Sequence, residues 1–124
     1  MIRFMIHIAI SYRCSIVIQI LVKEMAMVTF KFREIGESLG TRQLGARVRE
    51  QLLPLITTNE KVVFDFEGVD VVSNSFADEC LAKLLLFMSF EELKQRTTFV
   101  SVNDFARRNI AIAFRRRMNV MTVG

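Results

Sequence analysis

Three carboxylates near the middle of the chain, Asp65, Asp78 and Glu79, come closest in type and spacing to a reactive centre. Brought together at the carboxyl edge of a sheet, where α/β proteins commonly bind ligands, they would suit Mg2+. No phosphate loop or nucleophile accompanies them, and a simpler reading is preferred. Asp65 bonds loop amides, while Asp78 and Glu79 favour the positive end of a helix. Ser75 lacks a G-x-S-x-G setting, and His7 is the only histidine available as its base; Ser75 therefore reads as a helix cap and not a nucleophile. Arg42 falls in the first turn of a helix, where the dipole disfavours a cation; it reads equally as an ion-pair partner for Asp78 or Glu79 and as a solvated surface arginine. Arg107, Arg108, Arg115, Arg116 and Arg117 could meet the phosphates of a nucleic acid or an acidic protein surface. No aromatic platform interleaves them, so a solvated helix face is the preferred reading. Cys14 and Cys80 are the only cysteines. Both lie in apolar runs, which favours buried, reduced thiols and a cytoplasmic setting. No zinc-type spacing exists, and no metal, cofactor or enzymatic activity is expected.

These side chains need elements to hold them. Val28–Arg33 alternates Val28, Phe30 and Phe32 with Thr29, Lys31 and Arg33, the period of a strand with one buried face. Gly36–Gly40 breaks it. Thr41 is the N-cap of a helix over 41–53, whose Leu44, Val48 and Leu52 share a face, and Pro54 with the polar Thr57–Lys61 segment ends that helix. Val62–Phe66 is a second strand, and Gly68–Asn74 contains a turn. Ser75 opens a helix running to Phe90, with Ser75-x-x-Asp78 resembling a capping box. Its Cys80, Leu81, Leu84, Leu85, Phe87 and Met88 wrap most of the circumference and imply deep burial. Thr98–Val102 is a third strand. Asn103 or Asp104 caps a last helix over 104–118, with Ala106, Ile110, Ala113, Phe114 and Met118 on its inner face. Strands alternating with helices specify an α/β domain with a mixed, mostly parallel sheet.

The chain has 124 residues, 52% of them hydrophobic and 24% charged, with a formal net charge of +4. That is one domain with room for a core and no sign of disorder. The basic excess lies from Asp104 onward, where five arginines face one aspartate, and the rest of the chain balances. Residues 1–26 form an apolar extension. Its charge-free runs, Phe4–Tyr12 and Cys14–Val22, are 9 residues each, far short of the roughly 20 a membrane helix requires, and Arg13 separates them. A signal peptide fits poorly for the same reason. Ile2, Phe4, Ile6, Ile8 and Ile10 alternate with other residues, so one or two extra strands are expected there, with Met25 or Met27 as alternative starts. The main domain spans 27–124.

"LGTRQLGARVRE", "VVFDFEGVDVVSNSFADE" and "FVSVNDFARR" together resemble the STAS-like domain family, relatives of anti-sigma factor antagonists, over residues 27–118. The "DFEGV…SFADE" stretch is the most specific part. The resemblance implies a non-catalytic α/β regulatory module that binds a partner protein, in better-known members a histidine-kinase-like ATPase, and is switched by phosphorylation at a helix start. Alignment puts Asn74 at the phosphorylated position, and asparagine cannot accept phosphate. Ser75 is the substitute acceptor, welcomed by the helix N-terminus and opposed by Asp78 and Glu79; this switch is the less favoured reading.

A protein-interaction module is therefore expected. Its partner surface comprises Arg42, Ser73, Asn74, Ser75, Asp78 and Glu79, presented as a charged rim around small polar side chains. The competing reading gives "SFADE" to folding alone. The alternative function is a nucleic-acid-binding accessory protein that uses the arginine-rich last helix.

Overall fold

A computed structural model describes residues 27–123. The strands expected near the N-terminus, Cys14 and His7 lie outside the described residues. Strand β1 (Met27–Lys31) pairs with β3 (Lys61–Asp65), which pairs with β5 (Thr97–Val100), all parallel. Register explains the burial. Phe30, Phe64 and Phe99 stand side by side across the three strands, and the Phe64 and Phe99 rings meet edge to face at 5.2 Å. Alternation then sends Thr29, Val63 and Thr98 to the opposite face.

β1 ends sooner than its alternation suggests. Phe32–Glu34 turns into a single 3-10 turn, because fully buried Phe32 stacks on Phe66 at 4.1 Å. The glycine-flanked segment that follows is not only a break. Ser38–Leu39 (β2) pairs in parallel with Val71–Val72 (β4) as a second, two-stranded ladder. Two residues are too few to show a period, so this ladder is invisible to pattern. Gly68, with φ +80°, supplies the left-handed position in the turn after β3.

Helix α1 (Arg42–Thr58) begins as expected, with the Thr41 hydroxyl accepting from Leu44 N–H at 3.1 Å. It does not stop at Pro54. Pro54 and Glu50 are both exposed, so the bond that the proline ring forfeits is lost on the solvent side, and fully buried Ile56 anchors the turn beyond. Thr57, Thr58 and Asn59 side chains take the last carbonyls.

The expected helix 75–90 is three pieces followed by a separate helix. Segment α2 opens as an α turn (Asn74–Phe76), widens into a π turn (Ala77–Leu81) and tightens into a 3-10 turn (Ala82–Leu86). Its N-cap is Ser73, not Ser75. The Ser73 hydroxyl accepts from Phe76 N–H at 3.0 Å, so the Ser75–Asp78 capping box does not form. Leu84 and Leu85 are buried as expected, but Phe87 is 59% exposed because the chain leaves the helix there. Ser89 then caps α3 (Phe90–Arg96) by accepting from Glu92 N–H. The signal for α3 was present in Ser89-x-x-Glu92, a true capping-box spacing. Asn103 caps α4 (Asp104–Val123), accepting from Ala106 N–H at 2.8 Å. α4 buries Ala106, Ile110, Ala113 and Phe114 and runs five residues past the expected end. No described helix is long and apolar enough to cross a membrane.

Candidate functional site

Small polar residues at the start of α2 are held from several sides. Ser73 N–H donates to Leu39 O at 2.9 Å, and its hydroxyl donates to Gly40 O at 2.9 Å. Asn109 of α4 donates to Val72 O at 2.8 Å, and Asn103 donates to the carbonyls of Val69 and Asp70. The segment carrying Ser73, Asn74 and Ser75 is thus fixed to β2, to the preceding loop and to α4. Asn74 is exposed and Ser75 half-buried.

The π turn that follows places Asp78 and Glu79. An α-helix bonds each N–H to the fourth residue back, whereas here Ala82 N–H reaches both Ala77 O and Asp78 O. α1 comes very close at this point. A Cβ on Gly45 would lie 3.0 Å from Glu79 Cβ and 3.2 Å from Phe76 O. Arg42, Gly45 and Arg49 share one face of α1, spaced three and four apart, and so the two arginines straddle the contact.

The acids are then divided between two sets of cations. Asp78 receives Arg42 Nη1 on Oδ2 at 2.9 Å and Arg117 Nη2 on both oxygens at 2.8 and 2.9 Å. Glu79 receives Arg49 Nη1 at 2.8 Å, Lys83 Nζ at 2.9 Å and Arg42 Nη1 at 3.3 Å, and Arg49 also donates to the Glu79 backbone carbonyl. Burial alone would raise the Asp78 pKa, but the hydrogen bonds from Arg42 and Arg117 outweigh it and hold the carboxyl below its ordinary value. Hydrogen bonds from Arg49, and then from Lys83, hold Glu79 down to about 2. The Asp78 hydrogen bond raises Arg42. Burial pushes the Cys80 thiol, one residue further on, well above its usual range.

Several expectations are corrected here. Arg42 does pair with both acids. Glu79, however, is no part of an exposed rim: its side chain is 11% exposed and lies beneath Arg49 and Lys83. Arg117 does not belong to a solvated basic face, since it clamps Asp78 and ties α4 to α2. Arg107 reaches Asp104 at 4.0 Å, while Arg108, Arg115 and Arg116 are exposed and have no side-chain partner among the described residues. Asp65 stands apart and accepts from Glu67 N–H at 2.9 Å, as a loop-bonding residue. Among the described residues no group of three acids, histidines or cysteines is placed to hold a metal. Arg49 and Lys83 were missed. Glu79 and Lys83 have the i,i+4 helix spacing of an ion pair, and Arg49 lies seven residues from Arg42.

A cleft of about 310 Å3 opens above this network, lined by Arg42, Asn74, Ser75, Asp78, Arg116 and Arg117, with Ile112, Ala113 and Val120 as its apolar wall. A second groove, of about 570 Å3, lies between α3, β5 and α4 and is mainly apolar.

An α/β domain with parallel strands, carrying an ion-pair network that joins three helices beneath a rigid polar helix start, is the class defined by this geometry. Residues 45–105 match the family model described as a STAS-like domain of unknown function (DUF4325). The matched segment contains Gly45, Arg49 and all of α2, whereas Arg42, Arg116 and Arg117 lie outside it. The comparisons with curated proteins and with solved structures return no match.

Proposed function

We propose that this chain is a non-catalytic, cytoplasmic regulatory module that docks a histidine-kinase-like ATPase at the start of α2. One observation carries the reading. Ser73, Asn74 and Ser75 are small polar residues on a backbone pinned to three neighbouring elements, with the half-exposed Arg42 and the exposed Arg116 beside them. A rigid, small-residue platform with charges at its margin suits docking in one orientation, because few groups need ordering on contact. The buried Glu79, with the half-buried Arg49 and Lys83, acts as the support beneath that platform. Asn74 occupies the position that resembles the switch site of related modules, and docking without phosphorylation is the simpler mechanism.

The nucleic-acid reading has less behind it. Backbone phosphates favour a stripe of cations. Here Arg117 is taken by Asp78, Arg107 lines the apolar groove, and Arg116 faces the cleft.

Capture by a purified histidine-kinase-like ATPase tests the proposal. Asn74→Trp should weaken capture at least tenfold, about 1.4 kcal/mol, with an unchanged unfolding midpoint. Capture that Asn74→Trp leaves intact would place the docking surface elsewhere.

A further inference from the structure

We infer that the cleft between α1, α2 and α4 is a carboxylate-recognition site, which takes one Glu or Asp side chain of the docking partner. This inference rests on the docking reading above and adds the chemistry of the partner's anchoring residue.

The lining carries three guanidinium groups, those of Arg42, Arg116 and Arg117, against one carboxylate, Asp78. Both Asp78 oxygens are already engaged. Arg42 reaches the two acids through Nη1 alone, which leaves its Nε and Nη2 without a partner among the described residues. Arg117 binds through Nε and Nη2, which leaves Nη1. Arg116 has no side-chain partner among the described residues, and the same holds for the Asn74 amide and the Ser75 hydroxyl. Donors therefore outnumber acceptors in one recess and carry excess positive charge. Guanidinium groups in such a setting pair with planar oxyanions through two parallel hydrogen bonds.

The wall decides which anion fits. Ile112, Ala113 and Val120 form one side of the recess, and Val120 is 66% exposed. An aliphatic stem lies well on such a wall while its charged end reaches the arginines. Glu and Asp have that build; inorganic phosphate has no stem. A nucleic acid would need further cations in line with the recess. Arg108 and Arg115 flank Ile112 on α4 at spacings of four and three, but neither lines the recess.

The probe is acetyl-Ala-Glu-Ala-amide, titrated into the full chain while backbone amide resonances are followed. Saturable shifts are expected at Asn74, Ser75 and Arg116, and acetyl-Ala-Gln-Ala-amide should leave them in place. Arg116→Gln should raise the dissociation constant at least fivefold with an unchanged unfolding midpoint, and Arg116→Lys should recover part of the loss. Equal shifts from the Gln peptide would overturn the assignment. So would an Arg116→Gln constant within twofold of the parent, or inorganic phosphate or single-stranded RNA saturating the same amides at lower concentration than the Glu peptide. ATPase capture separates the two claims. If the Glu peptide binds as described but Asn74→Trp leaves capture intact, the docking reading falls and the carboxylate site stands. If capture depends on Asn74 yet the peptide does not bind, only the carboxylate site falls.

Discussion

Ser73 and Ser75 differ by two positions and by everything that matters to their roles. Ser73 accepts from Phe76 N–H and donates to Gly40 O, closing the start of α2 onto the end of β2. Ser75 has no side-chain partner among the described residues and lines the cleft. Ser73→Ala should therefore lower stability by about 1 kcal/mol, the usual effect of losing a helix cap. Ser75→Ala should change it by no more than about 0.5 kcal/mol. Urea unfolding of both variants measures the difference, and equal effects would remove Ser73 as the cap. Sequence could not separate the two serines, since both stand within three residues of Phe76 and α2 has no regular helical period in its first two turns. Arg42 was legible because a cation in a first helical turn needs a reason. Arg117 was not, because a run of three arginines looks uniform until the helix is wound and one of them meets an acid from another element.

At the scale of elements, the contact between α1 and the π turn holds the site together. Gly45 permits it, with Glu79 Cβ, Phe76 O and Cys80 N all within 3.3 Å of where a Cβ would stand. Alanine is the better helix former by about 1 kcal/mol. Two of the three crowded atoms are backbone, however, so α1 and α2 must move apart. Gly45→Ala should destabilise the domain by about 1–2 kcal/mol net, measured as the unfolding midpoint. A stabilised variant would show that the contact gives way easily. The three main strands and the helices α1 and α4 were readable because each has a clear period and a cap. The π turn was not, since it inserts one residue into a helical pattern and no residue type marks it. Pro54 misled for a physical reason: the bond it forfeits is lost on the solvent side, and the fully buried Ile56 holds the turn beyond it.

For the whole molecule, acid should act first through Glu79. Its folded pKa, about 2, lies below the ordinary 4.5. A depressed carboxyl stabilises the fold above its unfolded value, and that stability is lost as pH falls through the folded value. Stability should thus decline between about pH 4.5 and 2 by about 2 kcal/mol from this group, allowing for partial screening at the margin of the core. Asp78 shifts in the same direction and adds to the decline. Glu79→Gln should flatten this part of the profile, while an unchanged slope would assign the acid sensitivity to other groups. The α/β class and the parallel sheet followed from the alternation of strands and helices in the sequence. The α1–α2 half of the join was anticipated through Arg42, whereas the tie of α4 to Asp78 followed only from the fold, because Arg117 lies 39 residues further along the chain.

The order β1-β3-β5 also governs how the domain can be made. Met27 faces Lys61 and Val62 faces Thr97, so each neighbouring pair of strands closes a loop of more than thirty residues. Among the described residues no hairpin joins these strands, and their contacts pay their loop-closure entropy before any pairing returns it. A mixed α/β topology of this kind is expected to fold more slowly than a helical bundle of the same size. A nascent chain that has passed Asp65 but not yet reached Thr97 displays β3 with its β5 side open. That is the interval in which strand-to-strand association between chains competes with folding.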